Sequence, residues 1–252
     1  MSKAIKNIIW RPSPNFDDRD AGTPIDMLVL HYTGMKTAEA AIERLTDETA
    51  KVSAHYLVQE DGQVLALVAE EKRAWHAGVS RWRGADNINA RSVGIEIVNP
   101  GHEFGYRPFP DVQMEAVTLL ATDIVARHAI PAWNVVGHSD VAPNRKEDPG
   151  ELFEWRELAR KGVGLWYRED RNASLHYASL SPGTGGESVI AIQEALSEIG
   201  YDVMKNGIYD DALTTAIRAF QRHWRPSRVD GNVDAETQAV LYALRDEVRR
   251  LT

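Results

Sequence analysis

The sequence predicts an α/β protein that carries a small all-helical module at its C-terminal end. Three observations predict it. Short apolar runs at 26–33, 92–99 and 133–138 have the length of strands. Helical patterns at 37–47, 111–129 and 153–161 alternate with those runs, as in layered α/β folds. From 187 onward only helical patterns appear, at 187–199, 211–224 and 234–249.

Residues 1–25, rich in Pro, Asp and Arg, read as an ordered arm. Residues 26–33 form a buried strand, because Met27 to Leu30 is apolar without a turn residue. Residues 37–47 form an amphipathic helix with Thr37 as its N-cap. Val52–Val58 and Val64–Val68 flank Glu-Asp-Gly-Gln, a turn signal, and so predict a hairpin. Ser92–Asn99 sets Val93, Ile95 and Ile97 against Gly94, Glu96 and Val98, the alternation of a strand. Small, flexible residues dominate 172–186, which marks a linker. The predicted division is therefore 1–171, linker 172–186 and helical module 187–252. Within the module, Gly207-Ile-Tyr-Asp and Gly231-Asn-Val-Asp each precede a helix, which suggests internal pseudo-symmetry.

Composition narrows the function. The net charge of −8 argues against a nucleic-acid partner. The absence of cysteine excludes disulfides, cysteine-rich zinc sites and a lipid-anchored cysteine within this sequence. No run approaches the roughly 20 apolar residues of a membrane span, and the first residues are too interrupted for a signal peptide. The expectation is a cytoplasmic protein with no membrane partner; the sequence leaves its oligomeric state open.

The chemistry concentrates at two strand ends. Met27-Leu28-Val29-Leu30 runs into His31, and Val135-Val136-Gly137 runs into His138, with Asp148 downstream. Two histidines and a carboxylate are a ligand set that catalytic zinc favours, with a fourth position open to water. A hydrolase is the first hypothesis.

Longer motifs sharpen it. Residues 137–150 read Gly-His-Ser-Asp-Val-Ala-Pro-Asn-Arg-Lys-Glu-Asp-Pro-Gly, and residues 72–80 read Lys-Arg-Ala-Trp-His-Ala-Gly-Val-Ser. With Val-Ser-Ala-His-Tyr at 52–56 and Ser-Val-Gly-Ile-Glu-Ile-Val at 92–98, they resemble, in order, the zinc-dependent N-acetylmuramoyl-L-alanine amidases of the AmpD-like type. The resemblance spans roughly residues 26–160. It implies a central mixed β-sheet flanked by helices, as in peptidoglycan-recognition proteins. It implies Zn2+ on His31, His138 and Asp148, and it assigns Glu96 and Lys146 to the chemistry. Glu96 stands on the strand face opposite Val93, Ile95 and Ile97, where it can take a proton from water and pass it to the leaving amine. Lys146 can stabilise an oxyanion. Trp75 and His76 are expected to contact substrate. His55 reads as structural, and the remaining histidines carry no motif. Residues 187–252 resemble the type 1 peptidoglycan-binding module, through Ala191–Tyr201, Asn206–Asp210, Ala219–Arg222 and Val229–Gly231.

The resulting expectation is a zinc amidase that cuts between N-acetylmuramic acid and L-alanine in muropeptides, with 1,6-anhydro fragments of wall recycling as substrates. The alternatives are a peptidoglycan-recognition protein that binds without cleaving, and an exported amidase acting on intact wall.

Overall fold

A computed structural model describes residues 8–168 and 177–252. In chain order its first elements are β1 (Ile9–Trp10), β2 (Phe16–Asp18), β3 (Met27–Tyr32), α1 (Ala38–Thr46), β4 (Tyr56–Val58), β5 (Val64–Ala66) and β6 (Lys72–Ala74). Then follow β7 (Arg81–Trp82), β8 (Ala85–Asp86), α2 (Ile88–Arg91), β9 (Ser92–Ile97), α3 (Gly101–Phe104) and α4 (Asp111–His128). The chain continues through β10 (Val135–Gly137), α5 (His138–Val141), α6 (Trp155–Arg160), α7 (Glu187–Ile199), α8 (Asp211–Trp224) and α9 (Ala235–Leu251).

A six-stranded sheet runs in the order β1-β5-β4-β9-β3-β10. Every neighbouring pair is parallel except β4 and β5, so the sheet is mixed. The predicted hairpin is that antiparallel pair. Helices cover both faces. Leu28, Leu30, Val93 and Ile95 pack with Val117, Leu120 and Ile124 of α4. Met27, Val29 and Val136, on the other face, join a cluster with Val189, Ile192, Ile199, Ile217 and Phe220 of the helical module. Leu57 and Leu65 meet Ala41 and Leu45 of α1. Each Val, Leu, Ile, Met or Phe among them contributes about 1.5–3 kcal/mol by leaving water.

Local chemistry sets the ends of these elements. The Thr37 hydroxyl accepts from the Ala40 N–H at 3.1 Å and starts α1. The predicted strand at 133–138 is shorter than expected: β10 stops at Gly137, and His138 opens the turn of α5. The echo in the module is a repeated cap. Asp210 accepts from the Leu213 N–H at 2.9 Å, and Asp234 from the Thr237 N–H at 2.8 Å. Gln193 and Gln221 each accept from the glycine N–H of the loop that follows their helix, Gly207 at 2.9 Å and Gly231 at 2.8 Å. Both glycines have positive φ, a conformation a Cβ disfavours.

Residues 1–7 of the predicted arm and 172–176 of the predicted linker lie outside the described residues. The later part of the linker is bound into the module: Leu180 bridges Val233, and Gly185 bridges Ile208. The module in turn packs on the sheet domain. Arg83 donates to the carbonyls of Glu198 and Ile199 at 3.0 Å each, and Trp82 meets Tyr201 edge-on at 5.1 Å. Among the described residues, no helix is long and apolar enough to cross a membrane.

Candidate functional site

Strand register builds the site. β3 and β9 pair His31 with Glu96. Alternation sends Leu28, Leu30, Val93 and Ile95 toward α4, and so leaves His31, Gly94 and Glu96 on the opposite face. β10 pairs Gly137 with Leu30, which brings His138 out of the sheet beside His31. The loop after α5 returns Asp148, whose carbonyl accepts from the Ser139 N–H at 2.9 Å.

Three ligand atoms converge there. His31 Nδ1 and His138 Nδ1 are 2.9 Å apart, and each lies 3.0 Å from Asp148 Oδ2. All three residues are buried. The surrounding hydrogen bonds fix the tautomers. His138 Nε2 lies 3.0 Å from the Ala77 carbonyl, which only accepts, so the proton sits on Nε2. The Ser92 hydroxyl donates to the Ile88 carbonyl at 2.7 Å and so accepts from His76 Nε2 at 3.2 Å. His76 Nδ1 is therefore bare and accepts from His31 Nε2 at 3.0 Å. Burial, with His138 second, holds the His31 imidazole neutral by lowering its pKa to about 4. His31 Nδ1 thus offers a lone pair toward the point where His138 Nδ1 and the Asp148 carboxylate also converge. The donor set fits a divalent metal ion, and the outward hydrogen bonds orient the ligands as such sites require.

The cleft over this cluster holds about 620 Å³ and is lined by Tyr32, Arg44, Glu96, His102, Lys146 and Asp148, among others. Glu96 is buried, and its Oε2 has no hydrogen-bond partner. Burial and then the charge of Asp148 push its carboxyl well above the ordinary range, while Lys146 works in the opposite direction. A carboxyl raised in this way inside a cleft is suited to general acid–base chemistry.

His76 lies against His31 and also reaches the cleft wall. Trp75, expected to contact substrate beside it, does not line the cleft. Neighbours in an extended segment face opposite ways, and the Trp75 indole hydrogen-bonds to Asp17 instead. His55 is structural in position: its Nδ1 accepts from the Gly94 N–H at 2.9 Å, and burial lowers its pKa to about 3.

The sequence reasoning passed over several residues. Arg145 donates to the carbonyls of Ala77 and Val79, tying the loop after α5 to the segment behind His138. His102 stacks on Tyr106 at 4.3 Å beside the cleft. Asp140 is buried at 1% exposure and bonds to Tyr201 and His223 of the module. The signal for His223 was its place on the apolar face of a helical pattern, where a polar side chain needs a buried partner.

The fold and site together belong to one class of enzyme. The family model of the N-acetylmuramoyl-L-alanine amidases matches residues 21–151, and the chain belongs to that family. A peptidoglycan binding domain model matches residues 185–241. The chain is 40% identical to the N-acetylmuramoyl-L-alanine amidase AmiD of Escherichia coli K12 over 255 residues, 95% of this chain and 90% of the relative. It is 34% identical to the 1,6-anhydro-N-acetylmuramyl-L-alanine amidase AmpD of Enterobacter cloacae, over 57% of this chain and 84% of that one. The structure of E. coli AmiD with its substrate anhydro-N-acetylmuramic acid-L-Ala-D-gamma-Glu-L-Lys matches with a TM-score of 0.76 at 37% identity, covering 92% of this chain and 98% of that one. AmpDh3 of Pseudomonas aeruginosa, in complex with anhydromuramic pentapeptide, matches with a TM-score of 0.76 at 36% identity, covering 94% and 95%.

Proposed function

We propose that this chain hydrolyses the amide between the lactyl group of N-acetylmuramic acid and the L-alanine of the stem peptide, with zinc held by His31, His138 and Asp148. The observation that carries the reading is the convergence of three buried ligand atoms, from His31, His138 and Asp148, beside a buried Glu96 whose Oε2 has no partner, in one cleft. Zinc bound there would lower the pKa of a water to about 7 and polarise the scissile carbonyl. Glu96 takes the proton of the attacking water. Its raised pKa then lets it hold that proton and deliver it to the leaving alanine nitrogen. Lys146, on the loop that carries Asp148, lines the same cleft, where its ammonium would stabilise the oxygen on which negative charge develops. His76 orients His31 and borders the substrate.

The proposed substrates are 1,6-anhydro-muropeptides of wall recycling, in the cytoplasm. Support comes from AmiD and AmpDh3, whose structures hold anhydromuramyl peptides. In this reading residues 1–171 are the catalytic domain, 172–186 the connection, and 187–252 a peptidoglycan-binding module. Mass spectrometry of digests tests it, with purified anhydro-muropeptides and intact sacculi compared with and without chelator. Release of the stem peptide from anhydro-muropeptides, abolished by chelator, is the expected result. Preference for sacculi would move the substrate to intact wall, and cell fractionation tests the compartment.

A further inference from the structure

The loop that carries two of the three ligands is braced by the C-terminal module. α5 begins at His138, and two residues later Asp140 turns its carboxylate inward. Asp140 Oδ2 accepts from the Gly137 N–H at 2.7 Å and from His223 Nδ1 at 2.6 Å, and Oδ1 accepts from the Tyr201 hydroxyl at 2.5 Å. Two of these donors therefore come from the module, and the third is the residue just before His138. The group is sealed: Asp140 is 1% exposed, and Tyr201 and His223 are 2% each. The His223 ring lies flat on Trp155 at 3.7 Å, which holds its donor in place. On the far side of the loop, Arg222 pairs with Glu147, next to Asp148. Both ends of the ligand-bearing loop thus rest on one helix, α8.

We propose that Tyr201 and His223 are positioning residues of the metal centre, acting through Asp140 to hold the turn that presents His138. This rests on the zinc reading above. Neither residue touches the ligand atoms. A buried carboxylate that loses a donor seeks another, and the nearest freedom it has is to shift the α5 turn. His138 Nδ1 then leaves its place beside His31 Nδ1. Coupling of this kind is reciprocal: a metal on His138 stiffens the seat on which the module rests. The module is then part of the metal site as well as a second domain.

The test uses the full-length chain and measures zinc affinity by chelator competition, beside the melting temperature of the metal-free protein. Tyr201→Phe deletes one hydroxyl without changing shape. His223→Phe keeps the stack on Trp155 and removes the donor, while His223→Asn keeps a donor near the Nδ1 position. Outward hydrogen bonds of metal ligands are worth about 10- to 100-fold in affinity. For these more remote bonds we expect the lower end, about tenfold weaker zinc binding in each Phe variant, and His223→Asn within about threefold of wild type. Arg249→Gln, which breaks an exposed pair with Glu198 inside the module, should leave affinity unchanged. A merely structural role would lower the melting temperature and leave zinc affinity as it was, and that outcome overturns the proposal. If a Phe variant at 223 fails to fold, Tyr201→Phe decides alone. A wild-type chain that binds no zinc overturns the zinc reading together with this one. A wild-type chain that binds zinc, with Phe variants that bind it equally well, overturns this one only.

Discussion

Gly94→Ala adds one methyl group to the strand that carries Glu96, and its consequences can be worked out atom by atom. Gly94 lies in the regular strand β9, so alanine suits the backbone. The space does not suit it. A Cβ there would stand 2.5 Å from His76 Cγ and 2.7 Å from its Cδ2 and Nδ1, where ordinary contact begins at 3.4 Å. The ring must retreat by about 0.9 Å, the difference between those distances. It is held at both ends, 3.0 Å from His31 Nε2 and 3.2 Å from the Ser92 hydroxyl, and is 5% exposed. A retreat of that size breaks at least one of the two bonds. Overpacking of this kind costs about 1–3 kcal/mol. Loss of the hydrogen bond behind a metal ligand costs about 10- to 100-fold in affinity or activity. The assay is zinc competition and turnover of an anhydro-muropeptide, with a thermal melt on the same preparation. His76→Ala provides the control: with the ring gone, adding Gly94→Ala should cost little more, because the two changes act on one contact. Wild-type zinc affinity and turnover in Gly94→Ala would refute the chain from Ser92 through His76 to His31.

Other expectations follow from the same geometry. Metal analysis of His138→Ala should show near-complete loss of zinc, and full occupancy would sink the ligand assignment. Glu96→Gln should keep fold and zinc while turnover falls about 10²- to 10⁴-fold; wild-type turnover would make Glu96 structural. Glu70 tests the scaffold. Burial pushes its carboxyl up, but hydrogen bonds from Arg127, His128 and Tyr56 outweigh that and hold it at about 2. Because the folded value lies below the ordinary 4.5, the stabilisation is complete above pH 4.5 and is lost as pH falls from there through about 2. Glu70→Gln should cost up to about 3 kcal/mol at neutral pH and flatten the stability profile across that acid window. Denaturation at several pH values checks this, and an unchanged acid limb would refute it.

Much of this protein was legible in one dimension. The apolar run into His31, the alternation around Glu96 and the three C-terminal helices depend on local periodicity, which a sequence displays directly. The candidate ligands were legible because histidines at strand ends, joined to a motif of fixed spacing, leave few other readings. Trp75 and His76 show the limit. They are adjacent in sequence, yet the backbone turns one toward Asp17 and the other toward His31. Asp140, Tyr201 and His223 show it further. They meet across 61 and 83 residues of chain, and no periodicity or local motif connects them. Periodicity determined which faces are apolar. Only the packing of those faces on one another decided which polar groups were sealed inside and had to find partners there.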